Sequence, residues 1–157
     1  MIKLCIIGAG SSVFTKNIVT DILLTKELKD IEFSLMDISE ERLKTSNKIV
    51  SQISKKLGVS VNILSTTNRK EALKNSSFVL TSFQVGGYEP STVLDFKIPK
   101  KYGLDQTIAD TIGIGGIMRG LRTIPILNSI AQDILEICPN AILLQYVNPM
   151  CMNMISL

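Results

Sequence analysis

The stretch Gly8-Ala9-Gly10-Ser11-Ser12-Val13 has the spacing of a phosphate-binding turn. It follows a short apolar run, Lys3 to Ile7, and precedes residues of helical periodicity. The first glycine permits a tight turn, and the second lets the backbone approach a diphosphate with no Cβ in the way. The helix that follows presents unpaired N–H groups and a positive dipole end, which suit phosphate. Asp37, closing the next apolar run, is placed to accept hydrogen bonds from ribose hydroxyls. Gly8, Gly10, Ser11 and Asp37 together predict a dinucleotide site. An acid at that position repels a 2′-phosphate, so NAD is expected over NADP; Arg42 is the nearest following arginine. Two features depart from the usual fingerprint. Val13 stands where a third glycine is usual, and Asp37 comes later than the customary ~20 residues, as a longer first helix would require. The bland alternative is a glycine-rich turn with no ligand.

Composition narrows the remaining chemistry. The 157 residues include no histidine, so the chain alone cannot form a Ser-His-Asp triad, a Cys-His dyad or a histidine metal site. Three widely spaced cysteines, with no CxxC, point to a reducing cytosol and not to a disulfide framework or zinc knuckle. Apolar residues at 45% and charged residues at 20% describe a folded chain with room for one domain, 1–157. The net charge of +3 is interspersed and aromatics are 5%, which argues against nucleic acid. The apolar run at the start is too short for a signal segment or a membrane span, so a cytoplasmic protein is expected.

The elements that must position these residues alternate. Strands are predicted at Lys3–Ile7, Ile31–Met36, Val59–Leu64, Phe78–Phe83 and Ala141–Val147. Helices are predicted at about Val13–Leu28, from Ser39 to Leu57 with a cap at Gly58, at Arg69–Lys74, and at Gly116–Ile137. Pro125 is expected to bend the last of these, whose apolar side is read as Ile117, Leu121, Ile124, Leu127, Ile130 and Ile134. Tyr88 to Gly115 mixes helix and loop. This order predicts an α/β fold: a doubly wound, mostly parallel, Rossmann-like sheet of about five strands, with the fifth a possible open edge.

Ligands of such sheets bind beyond the carboxyl ends of the strands. Two further segments are expected there, Ser82 to Gly87 and Tyr146 to Met150. Gln84 is read as a cofactor contact. Asn148 reads either as a turn initiator before Pro149 or as a partner for a substrate hydroxyl, and the Asn148–Pro149 bond is a candidate for cis. Gly113 to Gly116 reads either as an anion cradle or as a hinge, and Arg119 and Arg122 either as site residues or as solvated ones.

Four runs carry a resemblance: Phe83 to Pro90, Gly103 to Thr111, Gly115 to Pro125, and Tyr146 to Met150. Together they resemble glycoside hydrolase family 4, and within it the melibiase-type α-galactosidases, over essentially the whole chain. The resemblance implies an NAD- and divalent-metal-dependent glycosidase of carbohydrate metabolism. Its chemistry is oxidation at the sugar C3, elimination across C1–C2 assisted by a metal, usually Mn²⁺, addition of water and return of the hydride. It maps Gly8, Gly10, Ser11 and Asp37 to NAD and Asn148 to the sugar. Phospho-glycosidase members carry an arginine just after the VGxY segment, and Tyr88 to Val93 has none, which implies an unphosphorylated galactoside.

The family's metal-binding Cys and His and its acid and base residues have no counterpart here. No catalytic or metal residue is therefore assigned, and the chain is expected to be the N-terminal cofactor-binding portion of a longer enzyme, a homo-oligomer when full length. Cys151 is read as a buried small apolar residue and not as the metal cysteine. Ile114 and Gln145 stand where the family usually has Pro and often has Asn. The rival reading is a lactate/malate-type NAD-dependent dehydrogenase, and a third is a unit with a nucleotide pocket and no activity.

Overall fold

The computed structural model describes residues 2–28, 30–108 and 111–157. Ala109 and Asp110, inside one of the motifs above, lie outside the described residues. The elements are β1 Ile2–Ile7, α1 Ser12–Leu24, a 3₁₀ turn Lys26–Leu28, β2 Ile31–Met36, α2 Glu40–Leu57, β3 Ile63–Thr66, α3 Arg69–Leu73 and β4 Phe78–Thr81. A wide turn Gly87–Thr92, α4 Val93–Lys101, α5 Gly113–Ile137, β5 Ile142–Gln145 and α6 Met150–Ser156 complete the chain. Two compact units emerge: Met1–Phe83 with Asp133–Leu144, and Gln84–Gln132 with Gln145–Leu157.

The first unit carries the sheet, in the order β3-β2-β1-β4-β5. β1 pairs in parallel with β2 and β4, and β2 with β3. This is the doubly wound α/β arrangement expected. β1 and β2 are buried over consecutive residues, not alternate ones, because both sheet faces are covered. Phe33, Leu35, Ile6 and Leu80 pack with Val19, Leu23, Leu43 and Val50 from α1 and α2. Each such side chain contributes roughly 1.5–3 kcal/mol by leaving water.

α2 shows why its ends fall where they do. The Ser39 hydroxyl accepts from Arg42 N–H, Glu40 and Glu41 face the positive end, Lys55 and Lys56 the negative end, and Gly58 adopts the left-handed conformation. Elsewhere in this unit, Asp133 is buried and paired with the Arg69 guanidinium and, at 3.6 Å, with Lys70. Glu136 sits 2.8 Å from Lys70 and raises its pKa.

Several boundaries differ from expectation, each for a local reason. α1 stops at Leu24 and the chain tightens into a 3₁₀ turn, where Leu28 N–H reaches Thr25 C=O. β3 begins at Ile63 and not Val59, because Ser54 engages Val59 at the end of α2. β4 ends at Thr81: Ser82 N–H still reaches Ile7 C=O at 2.8 Å, but β1 then turns away at Gly8. β5 is only Ile142–Gln145, because the Gln145 side chain bonds the Val147 N–H and C=O in place of a sheet partner.

Among its described residues the second unit combines helices with connecting loops, and its one strand residue is Gln145, the last of β5. α5 starts at Gly113, three residues early, because Gln106 Oε1 accepts from Gly115 N–H at 3.0 Å. It is one element through Pro125. Its packed side in this unit is Gly116, Gly120, Thr123, Leu127 and Ile130, whereas Ile117 and Leu121 are exposed, unlike the single apolar side expected. A Cβ on Gly120 would sit 3.3 Å from Pro149 Cγ and 3.4 Å from Met152 Sδ, so α6 packs there because the position is small. Asn153 is fully buried and donates to Val147 C=O at 2.8 Å. Among the described residues no helix is long and apolar enough to cross a membrane.

Candidate functional site

The turn after β1 lies wholly in the first unit, and its own hydrogen bonds define it. Gly8 and Ala9 N–H both donate to Met36 C=O at 2.9 and 3.0 Å, and Ser11 N–H donates to Gly8 C=O at 3.0 Å. Two buried hydroxyls, Thr15 at 2.9 Å and Ser46 at 2.6 Å, donate to the Ala9 carbonyl and anchor the turn from behind. Sequence reasoning missed both; a small hydroxyl one turn into α1 was the available signal.

The glycines are required in different ways. Gly8 has φ +90°, and a Cβ there would run into the Ser82 carbonyl and sit 2.9 Å from Phe83 Cβ. At Gly10 the obstacle is within the chain: a Cβ would meet Asp37 Oδ2 at 2.5 Å and Arg42 Cβ at 2.8 Å. Gly10 N–H donates to Asp37 Oδ2 at 2.8 Å, and Ser39 N–H to Oδ1 at 2.9 Å. Asp37 therefore faces the turn and holds it. The reason read from sequence for Gly10, approach of a diphosphate, has this second reason beside it.

α1 begins without a side-chain cap and without an acidic residue in its first turn, and Ser11 is exposed at its N-cap. Among the described residues, then, no side-chain cap occupies the positive end of α1, which suits an anion. Beside it lies a cavity of about 280 Å³ lined by Gly10, Ser12, Ser39, Glu41, Arg42 and Thr45. Arg42 is closer to the site than its place in the sequence suggested. Among the described residues no group of three or more His, Cys, Asp or Glu could hold a metal ion.

The other expected site residues lie in the second unit. Gln84 is exposed, and its Nε2 donates to Gly87 C=O at 3.1 Å and to Thr92 Oγ1 at 2.5 Å, bracing the Gly86-Gly87 bend. Asn148 is half-buried, and its bond to Pro149 is cis, as is Glu89–Pro90. Arg122 is paired: its Nη1 and Nη2 lie 2.9 and 2.6 Å from the two carboxylate oxygens of Asp95, which is 1% exposed, while 30% of the Arg122 side chain remains exposed. Gly113 to Gly116 form the first turn of α5 instead of preceding it, and one of their N–H groups, that of Gly115, is taken by Gln106. Cys151 is exposed, contrary to expectation, whereas Cys5 and Cys138 are buried. Burial pushes the Cys5 thiol up to about 12.

Comparison with known proteins adds independent findings. The model for the family 4 glycosyl hydrolases matches residues 3–157. The chain is 53% identical over 150 residues to an α-galactosidase of Bacillus subtilis (strain 168), covering 96% of this chain and 35% of that protein. It is 43% identical over 152 residues to an α-galactosidase of Rhizobium meliloti (strain 1021), covering 96% and 31%. A crystal structure of a 6-phospho-α-glucosidase from gut microorganisms, in complex with NAD and Mn²⁺, superposes with TM-score 0.86 at 26% identity, over 99% of this chain and 35% of that one. The chain thus spans about a third of the length of the relatives it matches. A match over nearly every residue decides against the dehydrogenase reading: this chain belongs to family 4 of the glycosyl hydrolases.

Proposed function

We propose that the first unit seats the adenosine-diphosphate end of NAD, and that the chain is the cofactor-binding portion of an α-galactosidase-type glycosidase. The observation that carries this is the Gly8–Gly10 turn, braced from behind by Thr15 and Ser46, leading into a helix whose positive end no side chain caps. The first-turn N–H groups and the Ser11 hydroxyl receive the diphosphate. Asp37 keeps acceptor capacity beyond its two backbone bonds and takes the ribose hydroxyls. Its charge opposes a 2′-phosphate, so NAD is preferred although Arg42 lines the neighbouring cavity.

When bound, the cofactor supplies a hydride acceptor for the sugar C3, which acidifies the C2 proton so that the group at C1 leaves by elimination before water adds and the hydride returns. In the second unit, Gln84 contacts the cofactor, a role read from its place just beyond the fourth strand, and Asn148 holds a sugar hydroxyl, a role the family resemblance implies. An unphosphorylated galactoside is favoured because Tyr88 to Val93 lacks an arginine and the Arg122 guanidinium is already tied to Asp95. The described residues do not fit a divalent metal, so no step runs through one here.

Titrating NAD and NADP while following the melting temperature tests the reading. NAD at 100 times its Kd adds about 2.7 kcal/mol, and NADP at the same concentration adds less. Absence of any shift with NAD overturns it. The 157-residue chain by itself is expected to release no galactose from melibiose; measurable turnover by the pure chain would overturn the assignment as a cofactor-binding portion only.

A further inference from the structure

Asn153 is an amide at a place where packing alone would favour a hydrocarbon. It is 0% exposed, and its Oδ1 has no hydrogen-bond partner among the described residues. A buried acceptor left unpaired is destabilising, whereas an apolar group of the same shape can be neutral or better. The other end of the amide is engaged: Nδ2 donates to Val147 C=O at 2.8 Å. Gln145 Nε2 donates to that same carbonyl at 2.8 Å, and Gln145 Oε1 accepts from Val147 N–H. A carbonyl oxygen has two lone pairs, so both are taken. Because the peptide unit is planar, a fixed Val147 carbonyl also fixes the nitrogen of Asn148. On the far side of Asn148, Pro149 is buried, and its Cγ lies 3.3 Å from where a Cβ on Gly120 would stand. Asn148, half-buried, is thus held between two anchored neighbours, all within the second unit.

We propose that Asn153 and Gln145 are positioning residues that aim Asn148 at the sugar by clamping the Val147 peptide from both sides. Neither needs to touch sugar or cofactor. The proposal deepens the reading of Asn148 as the partner of a sugar hydroxyl and rests on it. A hydrogen bond forms only over a narrow range of distance and angle. An Asn148 free to turn would have to be ordered whenever sugar binds, which weakens binding. The clamp orders it in the folded chain beforehand. The first turn of α6, where Asn153 N–H donates to Pro149 C=O at 3.0 Å, brings the Asn153 amide back over Val147. The unpaired Oδ1 is the cost of placing a donor there, and a residue present for packing alone would not carry it.

Two variants test the clamp. Asn153→Leu keeps the bulk and removes one donor; Gln145→Glu keeps the acceptor for Val147 N–H and removes the other donor. NMR relaxation of the 157-residue chain should give a backbone order parameter at Asn148 of about 0.85, falling below about 0.6 in each variant. The melting temperature of Asn153→Leu should stay level or rise, so that stability and order move apart. An order parameter at Asn148 unchanged in both variants overturns the proposal. The consequence for the sugar is read with this chain joined to the polypeptide spanning the rest of the Bacillus subtilis α-galactosidase. Asn153→Leu should raise KM for a nitrophenyl galactoside about tenfold and change kcat far less. In an Asn148→Ala background the same substitution should raise KM no further, because the side chain it aims is gone. Additive effects would make Asn153 a packing residue and overturn the proposal. If Asn153→Leu fails to fold, Gln145→Glu carries the same expectations. A raised KM in Asn148→Ala with none in either clamp variant overturns this proposal alone. An unchanged KM in Asn148→Ala overturns the sugar reading of Asn148 and the clamp with it.

Discussion

The two compact units spend their apolar residues differently. Among the described residues, and leaving prolines aside, all but three of the buried apolar side chains belong to the first unit, the exceptions being Leu127, Ile130 and Val147. The large apolar side chains left in water run the other way, and most of them lie in the second unit. The first unit therefore holds its glycine turn on a core that is already closed. The second holds Gln84, Asn148 and the Asp95–Arg122 pair with much of its apolar surface uncovered. A glycine turn can rest on a closed core in a chain whose other unit leaves much of its apolar surface exposed.

The widest gap is expected in core truncations. Phe33→Ala should cost about 3–5 kcal/mol in denaturant unfolding, whereas Leu121→Ala should stay within about 0.5 kcal/mol. Equal costs would erase the contrast between the units. Arg122→Met comes next. It strands the Asp95 carboxylate in a buried site and should cost about 3 kcal/mol. Hydrogen exchange should rise in α4 while β1 keeps its protection; uniform acceleration would mean that the units unfold as one.

Smaller effects sharpen the account of the turn. Ser46→Ala removes one of two donors to the Ala9 carbonyl and should cost about 1 kcal/mol. It should also weaken NAD binding measurably; unchanged affinity would deny Ser46 its positioning part. A further effect is confined to alkaline pH. The folded Cys5 thiol titrates near 12, the unfolded one near 8.5. Between these values the folded state keeps a proton that the unfolded state has lost. The stability it confers is whole below about pH 8.5 and declines as pH rises toward 12. Stability measured over that range should fall less steeply in Cys5→Ala; an identical slope would contradict the assignment.

Much of the first unit was legible in the sequence. A strand ending in Gly-x-Gly before a helix, with an acid closing the second strand, is local information. So is the Ser39 to Gly58 frame of α2. The strand ends misread, at Val59, Phe83 and Val147, are set by Ser54, by the departure of β1 at Gly8 and by the Gln145 side chain. None of these has a hydropathy signature. In the second unit, periodicity placed Ile117 and Leu121 with Leu127 and Ile130. It could not show that small residues, Gly116 and Gly120, take the packed side of the helix. The Asp95–Arg122 pair joins two helices and leaves no sequence signal beyond two charges. Gln84 and Asn148 were picked out by their place beyond the carboxyl ends of the fourth and fifth strands, and the family resemblance implies a sugar role for Asn148.

The claim on which the rest depends is that the first unit alone seats the adenosine-diphosphate half of the cofactor. Calorimetric titration of ADP-ribose, which lacks the nicotinamide, measures this directly. The account predicts saturable one-to-one binding that competes with NAD and disappears in Gly10→Ala, whose Cβ would displace Asp37 from the turn. No heat from ADP-ribose in a chain that still binds NAD, or undiminished binding in Gly10→Ala, would contradict it.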